Sequence, residues 1–183
     1  MKSKGISPTA VTYSTLMHGL CSVGQVEEAK SVLNEMRDSG FPMNIVCYTI
    51  LIDGYCKIGK MNEASNVFEE MRAGGLTPNK ITYTALMQGY CKAGNHTEAS
   101  KLLNEMVDNG IIPDGITYNT LISGFCTEGR MEEAFDVCDQ MSKSGLVLDE
   151  VSYTVLVHGM SYVGHKKEAA STFQDMIKRD AGP

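Results

Sequence analysis

The sequence predicts an all-α fold, an α-solenoid of stacked helix-turn-helix repeats. Shifting the 183-residue chain along itself by 35 residues superimposes five copies of one unit without a gap, and self-similarity at such a period marks a repeat array rather than one globular core. Within each copy two amphipathic stripes follow one another at helical spacing, separated by glycine. The copies run over 10–44, 45–79, 80–114, 115–149 and 150–183, the last one residue short.

The opening stretch, MKSKGISPT, aligns with MRDSGFPMN at 36–44, placing Met1 over Met36 and Gly5 over Gly40. Residues 1–9 therefore read as the tail of a preceding repeat, and the chain as an excerpt of a longer array that lacks its capping helices and targeting sequence. The apolar stripes left bare at the two cut ends predict self-association.

The first half of each unit carries Tyr13, Leu16, Met17 and Leu20 at i, i+3, i+4 and i+7, and the stripe returns as Tyr48, Leu51, Ile52 and Tyr55. A short hydroxyl residue, Thr12, Thr82, Thr117 or Ser152, stands where an N-cap would start this helix. Gly24 and its equivalents punctuate a turn, and Val26, Ala29, Leu33 and Met36 form the second stripe. Glu28 and its echoes suit the positive end of that second helix. Gly40, Gly75, Gly110 and Gly145 read as left-handed caps, with Pro78 and Pro113 blocking continuation. Tyr13, Leu16, Gly19, Gly24, Glu28, Ala29 and Met36 keep their identity in all five copies. One hairpin is too small to bury both stripes alone, so stacking completes the core.

The residue chemistry argues against an enzyme. Cys21, Cys56, Cys91 and Cys126 share one repeat position, but equivalent atoms of stacked helices lie roughly 10 Å apart, beyond disulfide reach. No CxxC or Cys/His ligand spacing occurs, so the thiols read as structural and reduced. Of the four histidines, His18 and His158 share a position four units apart, and His96 and His165 sit near second helices; packing or solvation accounts for them without a metal. Phosphate loops, nucleophile elbows and paired carboxylates are missing, as is a membrane segment, and no cofactor is expected. The formal net charge of −6 opposes the basic footprint usual for a nucleic-acid binder.

A unit reading V-T-Y-x-x-L-x-x-G-x-C-x-x-G-x-x-x-E-A-x-x-x-x-x-x-M-x-x-x-G-x-x-P-[DN] resembles the pentatricopeptide repeat, in its plain class of 35-residue units. The tetratricopeptide repeat, a 34-residue rival, has a Trp and a period that this chain lacks. The resemblance implies a right-handed superhelix that binds single-stranded RNA, one base per repeat, read by two side chains. Carried over position by position, the readers are Ser14 with Asn44, Thr49 with Asn79, Thr84 with Asp114, and Asn119 with Asp149; Thr154 has lost its partner and Thr9 is the orphan of a missing unit.

The family's code assigns Ser or Thr with Asn to adenine, Thr with Asp to guanine, and Asn with Asp to uracil. The implied target is 5'-A-A-G-U-3' followed by a purine. Chemically, an amide offers a donor and an acceptor, whereas a carboxylate only accepts. The aliphatic residue opening each unit, Val11, Val46, Ile81, Ile116 or Val151, is implied to sandwich a base; taken alone, these residues would be assigned to the core. The basic position near phosphates survives only as Lys57 and Lys92, with Ser22, Thr127 and Tyr162 elsewhere. The resemblance further implies a parent protein of plant mitochondria or chloroplasts acting on organelle transcripts with protein partners for RNA processing, in the style of the fertility-restorer branch. A protein-binding helical scaffold is the alternative that the acidity favours.

Overall fold

Each first helix starts on an extended residue whose side chain closes the first turn. In the computed structural model, which describes residues 9–164, 167 and 169–172, Thr9 precedes α1 (Ala10–Ser22), Asn44 precedes α3 (Ile45–Lys57), Asp114 precedes α7 (Gly115–Thr127) and Asp149 precedes α9 (Glu150–Tyr162). Each accepts a hydrogen bond from the backbone N–H three residues on. Asn79 does the same for α5 (Lys80–Lys92), its Oδ1 3.0 Å from Thr82 N. The N-caps therefore lie three residues before the expected Thr12, Thr82, Thr117 and Ser152. The Asn, Asp or Thr at the earlier position is the residue with extended backbone, and the later hydroxyls bond back to it from inside the helix.

The second helices are α2 (Val26–Asp38), α4 (Met61–Ala73), α6 (His96–Asp108) and α8 (Met131–Lys143). Helical residues at 167 and 169–172 follow α9. First helices begin every 35 residues, at Ala10, Ile45, Lys80, Gly115 and Glu150. The expected glycine caps are present: Gly40, Gly75, Gly110 and Gly145 have φ between 74° and 81°, which L side chains adopt at a cost. After α2, Gly40 N–H donates to Arg37 O and Phe41 N–H to Met36 O, a Schellman closure that recurs with Leu76 on Met71, Ile111 on Met106 and Leu146 on Met141. The recurrent methionine thus ends the helix and fills the core; Met36, Met71 and Met106 are fully buried. Met176, His165 and the segment 1–8 lie outside the described residues.

The helices group into two compact units, 1–89 and 90–183. In the first, α1 pairs with α2 and α3 with α4, and α3 packs on both α1 and α2. In the second, α7 packs against α6, α8 and α9. Val26, Ala29, Leu33 and Met36 are all buried, as the second stripe requires. Polar bonds stitch successive hairpins at the rim: Tyr55 Oη donates to Glu27 Oε2 at 3.1 Å, Lys60 reaches Glu27 Oε1 at 2.8 Å, and Arg37 bonds Tyr48 Oη and pairs with Glu70.

The recurrent glycine inside each first helix has a steric cause. A Cβ built on Gly54 would stand 2.7 Å from Cys21 Sγ, and one on Gly124 2.5 Å from Cys91 Sγ; on Gly159 it would meet Cys126 Cβ at 2.6 Å, and Gly89 presses on Cys56 in the same way. Each first helix therefore lies glycine-to-cysteine on the one before. Gly19 has open space around it, and Leu16 is 45% exposed where Leu51 and Leu121 are fully buried. Among the described residues no hairpin covers that side of α1.

Gly54→Ala is expected to overpack this contact and to destabilise the fold by about 1–3 kcal/mol. Gly19→Ala, in the same repeat position but in open space, should instead gain up to about 1 kcal/mol from helix propensity. Urea unfolding of the two variants checks this; equal effects would contradict the steric account.

Candidate nucleic-acid interface

The second residue of each first helix is aliphatic and faces solvent. Val11, Val46, Ile81, Ile116 and Val151 are 54–72% exposed, against the core placement that their residue type alone suggests. Single exposed hydrophobes need no explanation. A β-branched residue left this exposed at the same position of every repeat offers apolar area that a planar ligand could cover. In Val46, Ile116 and Val151 the next two residues along the helix are buried, so the exposed side chain stands alone at the edge of the core.

Polar side chains occupy the neighbouring positions at these helix starts. In the first unit, Asn44 Oδ1 accepts from Cys47 N at 3.0 Å, and Ser14 Oγ donates to Val11 O at 3.0 Å within its own helix. Thr49 and Asn79 are brought together through Thr82: the Thr49 and Thr82 hydroxyls are 2.8 Å apart, and Thr82 Oγ1 donates to Asn79 Oδ1 at 3.1 Å. Thr84 is half-buried one turn into α5. In the second unit, Asn119 Nδ2 donates directly to Asp149 Oδ1 at 3.2 Å, so these two sequence-paired residues touch. Ser152 Oγ lies 2.7 Å from Asn119 Oδ1 and 2.8 Å from Asp149 Oδ1. Asp114 Oδ1 accepts from both the backbone and the hydroxyl of Thr117. Thr154 is exposed on α9.

Hydrogen bonds from the Ser152 backbone and hydroxyl hold the Asp149 carboxyl below its ordinary value, with a further contribution from Asn119. At neutral pH it is an acceptor only. Its capping bond and the bonds from the Ser152 hydroxyl and Asn119 all use Oδ1.

The hydroxyls of Thr82, Thr117 and Ser152, expected as caps, are fully buried and bond to the capping side chains of Asn79, Asp114 and Asp149. The signal was present as Asn or Asp followed three residues later by Thr or Ser. What it lacked was the contact with Thr49 and Asn119, 33 residues back along the chain.

The basic positions lie at the opposite, C-terminal ends of the first helices, where Lys57 closes α3 and Lys92 closes α5. Lys57 is engaged by Asp53 at 2.7 Å, a pairing that raises its pKa. Lys92 is exposed; Ser22 and Thr127, at the equivalent position, turn their hydroxyls back onto Gly19 O and Gly124 O. His96 is 2% exposed, tilted against Phe125 with ring centroids 5.2 Å apart, and burial pushes its pKa down. It is a packing residue. Among the described residues no group of three His, Cys, Asp or Glu side chains could hold a metal ion, and no helix is long and apolar enough to cross a membrane. All six cysteines are buried and none is in a disulfide.

The sequence matches the PPR repeat family over residues 11–57, 43–92, 81–127 and 113–162, with a further PPR repeat over 151–180. A pentatricopeptide repeat-containing protein of Arabidopsis thaliana is 45% identical over 42 residues, 23% of this chain and 6% of that protein. The crystal structure of maize PPR10 in complex with an 18-nucleotide psaJ RNA element superimposes with a TM-score of 0.84 at 29% identity, over all of this chain and 27% of PPR10. The PPR domain of Arabidopsis thaliana protein-only RNase P 1, solved in complex with tRNA, shares the fold at 22% identity, with a TM-score of 0.74 over 97% of this chain and 92% of that domain. The chain thus spans about a quarter of the length of PPR10.

Loss of the capping bond in Asp149→Ala should cost about 0.5–2 kcal/mol of stability. Because the folded carboxyl titrates below its unfolded value, its contribution is complete above that value and fades as the pH falls through the folded one. Asp149→Asn keeps the cap and removes this part of the acid dependence. Thermal unfolding between about pH 7 and pH 2 distinguishes the variants; an unchanged acid profile in Asp149→Asn would contradict the assignment.

Proposed function

We propose that this chain, which belongs to the pentatricopeptide repeat family, binds single-stranded RNA through the first turns of its first helices. The observation that carries the reading is the recurrence, in every repeat, of an exposed aliphatic beside anchored polar side chains. The aliphatic gives a base a surface to stack on, and the polar groups offer its edge hydrogen-bond partners; unstacked single strands are recognised by this combination.

Ser14 with Asn44 and Thr49 with Asn79 select adenine, Thr84 with Asp114 guanine, and Asn119 with Asp149 uracil, with a purine at Thr154. The carboxylates of Asp114 and Asp149 accept from the ring N–H that guanine and uracil offer, whereas adenine presents a bare ring nitrogen to the Asn amide. Val11, Val46, Ile81, Ile116 and Val151 sandwich the bases, and Lys57 and Lys92 approach the phosphates. The repeats perform no catalysis; they act by occupying a transcript. The 35-residue units, the PPR10–RNA complex and the Arabidopsis relative support a plant organellar parent, in mitochondrion or chloroplast, that processes or stabilises transcripts in the manner of a fertility restorer. Protein partners and self-association belong to the same reading.

A protein-binding scaffold is the second reading, favoured by the net charge of −6 and by the engagement of Lys57 with Asp53. Equilibrium binding to short RNAs containing AAGU, to scrambled RNAs and to matching DNA, at low and physiological salt, separates the two. Preference for AAGU RNA is expected, with affinity that weakens as salt rises. Thr84→Asn should move the third preference from guanine to uracil without altering the fold. Indifference to sequence, or an unmoved preference in Thr84→Asn, would overturn the assigned register.

A further inference from the structure

We infer that the buried hydroxyls of Thr82 and Ser152, at the third positions of α5 and α9, are positioning residues that set the donor and acceptor polarity of the reader pair belonging to the preceding repeat. The inference rests on the base-reading function proposed above. Thr82 and Ser152 occur in different units, are fully buried, and each lies within hydrogen-bond distance of both members of a pair.

In the Thr49–Asn79 pair the direction of the bonds can be worked out. Thr82 Oγ1 has one proton and gives it to Asn79 Oδ1 at 3.1 Å, so the 2.8 Å contact with Thr49 is donated by the Thr49 hydroxyl. Asn79 Oδ1 is also engaged by the Thr82 backbone N–H at 3.0 Å. The relay therefore runs Thr49 to Thr82 to Asn79. It leaves Thr49 with lone pairs only, and Asn79 with the two protons of Nδ2, to meet a base. Adenine presents the complement, an amino donor and a ring-nitrogen acceptor, while guanine presents the inverse at its Watson–Crick edge. Were the Asn79 amide turned over, the pair would offer acceptors only.

In the Asn119–Asp149 pair the Ser152 hydroxyl stands against Asn119 Oδ1, and Asn119 Nδ2 is turned to the Asp149 carboxylate. The amide is held in one orientation, and Asp149 Oδ2 is left to accept the ring N–H that uracil has and cytosine lacks.

The first pair supplies an internal control. At the third position of α3 stands Cys47, whose thiol lies 3.8 Å from Met36 Sδ, and Asn44 Oδ1 is held by the Cys47 backbone N–H. Ser14 spends its proton on Val11 O. With no hydroxyl to join them, Ser14 and Asn44 read adenine less sharply than Thr49 and Asn79, although both pairs follow the same code.

The test measures the ratio of affinities for A, G, C and U at the first and second bases of the AAGU site, with thermal unfolding to follow the fold. Thr82→Val should lower the adenine preference at the second base alone by about two- to tenfold, the value of one hydrogen bond, and Thr82→Ser should retain it. Cys47→Thr should sharpen the preference at the first base by a similar factor, about two- to tenfold. A wild-type chain that discriminates at the second base, with Thr82→Val discriminating equally or Cys47→Thr unchanged at the first, overturns the role of the hydroxyl. A wild-type chain with no base preference at either position overturns the base-reading function, and this inference falls with it.

Discussion

Close approach of successive first helices at a glycine is the constraint on which the remaining features depend. With Cys21 Sγ 2.7 Å from where a Gly54 Cβ would stand, and Cys91 Sγ 2.5 Å from that of Gly124, the helices cannot accept any larger residue at the contact without moving apart. The cysteine is the matching half: small, apolar and dry. Burial pushes the thiols of Cys21, Cys91 and Cys126 up to about 11, so they stay protonated and act as hydrophobes in the seam. Their repetition thus follows from packing and needs no metal or redox chemistry.

The same approach governs the helix N-termini. Only helices held this near can place Thr82 of α5 within 2.8 Å of Thr49 of α3, or Ser152 of α9 within 2.7 Å of Asn119 of α7. Asn44, Asn79, Asp114 and Asp149 each begin a helix with one side-chain oxygen. Asn and Asp are both good caps, so exchanging one for the other changes the outward chemistry from donor to acceptor while the helix start survives.

Much of this was legible in the sequence. The period, the two stripes, the glycine C-caps and the buried methionines follow from local rules that hold within a few residues, and the structure has them. The N-caps were misplaced by three residues because a hydroxyl before an apolar stripe satisfies the same composition rule as the Asn or Asp ahead of it. The exposure of Val11, Val46, Ile81, Ile116 and Val151 was not readable from residue type, since a β-branched aliphatic at a helix start looks like core until its direction is known. Leu16 shows the converse: it matches the buried Leu51 and Leu121 in sequence, but burial there depends on a neighbouring hairpin. The hydroxyl bridges lay furthest from sequence logic, because they join residues 33 positions apart.

The central claim is that the exposed aliphatics are where bases stack. Methyl-resolved NMR, with valine and isoleucine labelled and AAGU RNA titrated in, addresses it most directly. The account predicts that the methyls of Val11, Val46, Ile81, Ile116 and Val151 shift and show contacts to base protons, while Val32 and Val107 on the second helices stay still. Shifts concentrated on the second helices, with the first-turn methyls unmoved, would contradict it.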